Sequence, residues 1–119
     1  MKKVIVILSL FYFLIFSLSP IQAKVIKVLA IGNSFSQDGV EQYLYELAQA
    51  QGDSLVIGNA YIPGCSIDKH YDNLLTGKAS YEYRKILGGV RSNKRKADSR
   101  SIIRDEQWDI ISLQQASHY

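Results

Sequence analysis

Apolar residues recur along this chain with two periods, and each period marks a kind of element. Val25–Ile31 (VIKVLAI) is β-branched and apolar, interrupted only by Lys27. That composition suits a strand buried on both faces of a parallel sheet. Gly32 ends the run, and a small polar group follows, Asn33-Ser34-Phe35-Ser36. Val40, Tyr43, Leu44, Leu47 and Ala48 then recur at i, i+3, i+4, i+7 and i+8, one face of a helix. Asp38-x-x-Glu41 reads as a capping box with Asp in place of Ser or Thr. Gly52 stands where a C-terminal cap belongs. The spacing predicts a helix over Asp38–Gln51.

Leu55–Gly58 reads as a second short strand, completing a β-α-β unit, and Asn59–Ser66 as a loop around Pro63-Gly64. A short helix is expected over Ile67–Leu75, capped by Ser66 or Asp68. Tyr81–Leu87 alternates like a strand, and Gly88-Gly89 makes a turn, so a hairpin is expected across 79–96. Ala97–Gln107 reads as a helix opened by Asp98 or Ser99, with Ile102 and Ile103 facing inward. Trp108–Leu113 is the next strand, ending in Gln114-Gln115-Ala116-Ser117-His118-Tyr119.

This order, β-α-β, insert, α-β, predicts an α/β fold: a three-layer, doubly wound parallel sheet with Val25–Ile31 in its middle. Ligands of such sheets sit beyond the carboxyl ends of the strands. Three loops converge there, Gly32–Ser36, Asn59–Ser66 and Gln114–Tyr119. Their convergence, rather than any one residue, defines the candidate site.

Charge and composition change the picture at the N-terminus. Met1-Lys2-Lys3 is a basic head, Val4–Ser19 carries no charge, and Pro20-Ile21-Gln22-Ala23 precedes Lys24. This is the layout of a secretory signal peptide over 1–23, cleaved before a domain at 24–119. The alternative is an uncleaved anchor, although the run is shorter than the about 20 residues that span a bilayer. Export is therefore expected, with no stable membrane anchor after cleavage. Of the 14 basic residues two lie in this leader, so 12 face 11 acidic residues and no nucleic-acid partner is implied. Arg91, Lys94, Arg95, Lys96 and Arg100 cluster, either on a solvated hairpin or as a patch for an acidic glycan. The single cysteine, Cys65, supplies no internal disulfide. It reads as a small packed residue beside Gly64, with a nucleophilic role as the alternative.

A serine hydroxyl needs a base and a site for the developing oxyanion. Ser34 lies in the turn before a helix start, where free N–H groups favour negative charge. Gly64 offers a backbone N–H with no side chain in the way. Gln114, Gln115 or His118 could supply a further donor.

Gly32-Asn33-Ser34-Phe35-Ser36 after an apolar strand resembles the first block, G-D-S-x-S, of the SGNH or GDSL serine hydrolases, and most of all a bacterial branch of unknown specificity with Asn for that Asp. The resemblance implies a flavodoxin-like SGNH fold, Ser34 as nucleophile and Gly64 as a backbone oxyanion donor. The family's third block, G-x-N-D, falls on Ala116-Ser117-His118-Tyr119 and is not matched. Gln115 is preferred as its substitute, with Gln114 and His118 as alternatives. Asn33, His70 and His118 are placed at the substrate rim. The closing D-x-x-H block, which supplies the base, does not occur after Leu113. The chain is therefore expected to be the N-terminal part of such an enzyme, incomplete at its C-terminus.

Three functional readings follow. The first is a periplasmic or extracellular esterase acting on a small ester, such as an acetylated carbohydrate, with no cofactor and no metal. The second is a carbohydrate-binding module on the same fold, using Tyr61, His70, Tyr71 and Tyr119. The third is a phosphate-binding flavodoxin-like domain, although Gly32–Ser36 is neither a P-loop nor a dinucleotide fingerprint.

Overall fold

The computed structural model describes Met1 and residues 24–117. Apart from Met1, the expected leader lies outside the described residues, as do His118 and Tyr119. The chain forms β1 (Val25–Gly32), a short helix α1 (Ser34–Ser36), a π-helical turn (Gln37–Glu41), α2 (Leu44–Ala50), β2 (Ser54–Tyr61), α3 (Ile67–Thr76), β3 (Tyr81–Leu87), β4 (Val90–Ala97), α4 (Ser99–Arg104) and β5 (Ile110–Leu113). The five strands make one sheet in the order β4-β3-β2-β1-β5. β1 pairs in parallel with both β2 and β5, as its apolar composition requires.

The α/β class holds, but the sheet is mixed rather than parallel. β3 runs antiparallel to β2, and β4 antiparallel to β3. The register gives the reason. Glu82, at the start of β3, pairs with Tyr61, at the end of β2. α3 has not carried the chain back to the start of β2, so the next strand must run the other way. The expected hairpin thus extends the sheet itself. Its turn, Gly88-Gly89, has φ of 56° and 77°, the double positive pair that a two-residue hairpin turn of right-handed strands uses. Arg91–Lys96 line the exposed strand β4, a charged strand at the end of the sheet that discourages further pairing.

Alternation along the strands divides the core in two. Leu29, Ala60, Cys65, Tyr81, Tyr83 and Ile102 pack under α3 and α4, with Ile31, Ile103 and Trp108 against them. Leu55, Ile57 and Ile86 pack on the other side, with Val40, Leu44, Tyr45 and Ala48 from the segment containing α2. Trp108 lies so close to β2 that a Cβ on Gly58 would stand 2.6 Å from its ring.

The helix expected over Asp38–Gln51 is broken. It begins four residues earlier, where Asn33 Oδ1 accepts from the Phe35 N–H at 3.1 Å. It passes through the π-turn and restarts at Leu44. Glu41 does not fold back as a capping-box partner, because its carboxylate accepts from Asn59 and Arg84 on the neighbouring strands. Other punctuation is as the residues indicate. Gly52 takes φ 84° beyond α2, Ser66 caps α3 and Asp98 caps α4. β2 runs on through Asn59, Ala60 and Tyr61, which the sequence assigns to the loop. β5 is short, and Ile110, Ile111 and Leu113 remain about half exposed.

Candidate functional site

β1 delivers Gly32 to its carboxyl end, where the chain turns sharply into α1. Space there is tight. A Cβ on Gly32 would stand 2.6 Å from Ser36 Oγ and 2.8 Å from Ser36 Cβ, and would overlap the Gln114 amide oxygen. The two serines of the turn are thereby separated in role. Ser36 is fully buried, its hydroxyl donating to the Asn33 carbonyl at 2.7 Å with Asn59 Oδ1 at 2.9 Å. Ser34 is exposed. α1 is three residues long and passes directly into the π-helical turn Gln37–Glu41.

Asn33 brings the three loops together. Its side chain is 2% exposed. Nδ2 donates to the Cys65 carbonyl at 3.1 Å and to the Gln115 carbonyl at 3.2 Å, while Oδ1 accepts from Phe35 within its own turn. The expected convergence is thus physically made. Gly64 precedes Cys65 in the second loop, exposed, at φ 61°, with no atom within 4 Å of where a Cβ would be. The glycine is required there by backbone conformation and leaves its surface open to a ligand.

Gln115 lies in the third loop and is exposed. Its amide oxygen accepts from the Ile67 N–H at 2.9 Å and the Ala116 N–H at 3.0 Å, so this residue helps to cap α3. The Nε2 group is its remaining donor. Gln114 packs over Gly32 and buries its amide oxygen without a partner.

Two of the rim assignments are corrected. Asn33 and His70 are both interior side chains, at 2% and 3% exposure. His70 Nδ1 lies 2.9 Å from the Tyr81 hydroxyl and 3.5 Å from Cys65 Sγ, and its ring stacks on Tyr81. Burial, followed by Lys69, pushes the His70 imidazole below its ordinary pKa. Burial likewise pushes up the Cys65 thiol and the Tyr81 hydroxyl. All three are therefore neutral near pH 7, which makes them a packed polar group and not a thiolate–imidazolium pair. Cys65 is the packed residue its position beside Gly64 suggests.

A second polar chain supports the site from behind. Asn59 donates to Glu41, and Arg84 pairs with Glu41 at 3.4 Å and with Glu82 at 3.1 Å. The Arg84 guanidinium lies 4.0 Å over the Tyr61 ring. Asn59 was available to inspection as the one polar residue of the buried run Leu55–Ala60, since a buried amide requires partners. A cavity of about 340 Å³ opens between α3, α4 and the β1–β5 pair, lined by Ile31, Tyr71, Leu74, Ile103 and Leu113 with His70. Neither Ser34, Gly64 nor Gln115 lines it. Among the described residues, no group of three or more His, Cys, Asp or Glu side chains could hold a metal ion.

Residues 27–119 match the model of a domain of unknown function, DUF4886. The chain belongs to the DUF4886 family. A solved DUF4886 family protein from Bacteroides uniformis ATCC 8492 shares 49% sequence identity and superposes with a TM-score of 0.76 over 78% of this chain. The match covers 36% of that protein, so this chain spans about a third of its DUF4886 neighbour. None of the curated proteins matches it. Family membership brings no activity with it.

Proposed function

We propose that this DUF4886 chain presents the nucleophile and part of the oxyanion site of an exported SGNH-type serine esterase. The observation that carries the reading is the division between the two serines of the β1–α1 turn. Ser36 is buried with its hydroxyl committed to Asn33 and Asn59, whereas Ser34 is exposed on a turn that Asn33 ties to the loops of Gly64 and Gln115. In this reading Ser34 attacks the carbonyl carbon of a small ester. The Ser34 and Gly64 N–H groups, with the Gln115 amide, hold the oxyanion, and water then releases the acyl group. An acetyl ester on a carbohydrate suits an exported enzyme, and the chemistry asks for no metal or organic cofactor. His70 is not taken as the base, because its ring is buried and lines the cavity beside α3, which Ser34 does not reach. The proton acceptor is then His118, the other imidazole of the chain, or a group from the further length that the solved DUF4886 neighbour has.

A second reading is a carbohydrate-binding cleft without turnover, for which Tyr71 is exposed although His70 is buried. Hydrolysis of p-nitrophenyl acetate, together with labelling by a fluorophosphonate probe, separates the two. Completed by the length that supplies the base, wild type and Ser36→Ala should react and Ser34→Ala should not. Equal background rates in wild type and Ser34→Ala would reject the esterase reading for this chain and leave the binding cleft.

A further inference from the structure

Asn33 lies at the centre of the site without facing it, and its chemistry is more demanding than its size suggests. One buried carboxamide meets three backbone groups of opposite polarity. The Phe35 N–H requires an acceptor, while the Cys65 and Gln115 carbonyls both require donors. The Phe35 bond fixes which end of the amide is oxygen, and Nδ2 then spends both its protons on the other two loops. Serine or threonine has one proton to donate, and an ionised carboxylate has none.

We propose that Asn33 is a positioning residue whose neutral amide locks the Gly64–Cys65 loop and the Gln115 loop against the Ser34 turn. The lock is geometric, and its catalytic consequence rests on the esterase reading above. An aspartate at this position would keep the Phe35 bond and set negative charge against two carbonyl oxygens. Protonating it would restore one of the two donor bonds. Asn33→Asp should therefore convert a permanent lock into one that closes only in acid.

The test is amide hydrogen exchange on the full chain across pH 4–8, corrected for the intrinsic pH dependence of exchange, alongside the rate of fluorophosphonate labelling of Ser34. The amides followed are those of Phe35, Cys65 and Ile67, one beside each bonded loop. In wild type the three should open together, with one protection factor shared at each pH, and each variant is compared with wild type at the same pH. Asn33→Ala should lower all three on the order of tenfold at every pH, the effect of stranding the buried Cys65 carbonyl and the part-buried Gln115 carbonyl. Asn33→Asp should match Asn33→Ala at pH 8 and recover towards wild type near pH 4. Labelling of Ser34 in Asn33→Asp, taken relative to wild type at the same pH, should follow the same curve. Independent opening of the three amides in wild type overturns the lock even if neither variant folds. Wild-type protection in Asn33→Asp at pH 8 overturns it as well. If wild-type Ser34 takes no label while the exchange pattern holds, the esterase reading fails and the lock stands.

Discussion

Gly32→Ala tests the packing of the turn most directly. The added methyl would stand 2.8 Å from Ser36 Cβ and 2.6 Å from Ser36 Oγ, and would overlap the Gln114 amide oxygen. Contacts under 3.0 Å require something to move. Gln114 is the far end of a flexible side chain and can swing aside. Ser36 cannot yield as easily, because it is fully buried and its hydroxyl is bonded to Asn33 and lies against Asn59. The strain therefore falls on the β1–α1 turn itself. Overpacking of this kind costs about 1–3 kcal/mol, which for a domain of this size lowers Tm by roughly 4–8 °C per kcal/mol. Urea denaturation of wild type, Gly32→Ala, Ser36→Gly and the double variant provides the measurement. Removing Ser36 Cβ should make room for the methyl, so the double variant should be more stable than the two single losses sum to, by about 1 kcal/mol. A Gly32→Ala loss below about 0.5 kcal/mol, or strict additivity with Ser36→Gly, would refute the close approach.

Three further outcomes follow. Gly64→Ala meets no atom but must hold φ 61°, so it should cost about 1–2 kcal/mol, with Gly64→Asn costing less, as read from urea midpoints. His70 has its imidazole pKa depressed in the fold, first by burial and then by Lys69. The unfolded chain therefore takes up the proton first: stability is full above an unfolded value of about 6.5 and falls as pH drops through the lower folded value. Denaturation curves from pH 8 to 5 should show this loss in wild type, and His70→Gln should show less of it; equal pH slopes would remove His70 as the cause. Lys85 Nζ holds Asp105 and Glu106, each at 2.7 Å, and its contact with Asp105, followed by that from Tyr83, keeps the Asp105 carboxyl below its usual range. Because Asp105 is 40% exposed, Lys85→Met should cost only about 1 kcal/mol, and raising salt should shrink the difference between the two proteins; a salt-independent difference would point to packing instead.

Much of the fold is written locally. The apolar run of β1 specifies a strand flanked on both sides, and it has β2 and β5 as parallel neighbours. Ser66, Asp98 and Gly52 punctuate helices through bonds and dihedrals that span only a few residues. Gly88-Gly89 turns the chain between two strands for the same reason. Such signals are legible because cause and effect lie within one turn of backbone.

What escaped inspection depends on residues far apart in the chain. Glu41 has the spacing of a capping-box residue, but Arg84 and Asn59 draw it away and the helix breaks into a π-turn. The hairpin is visible in sequence, whereas its antiparallel seat on β2 follows from where α3 releases the chain. His70 and Asn33 look like rim residues because both are polar and flank loops, yet each is buried by partners from other elements. That a serine-bearing turn follows a central strand, and that three loops end near it, is legible in residue order. Which serine is exposed, and that one amide binds those loops together, emerges from the fold, because a hydrogen bond between residues 33 and 115 has no local signature.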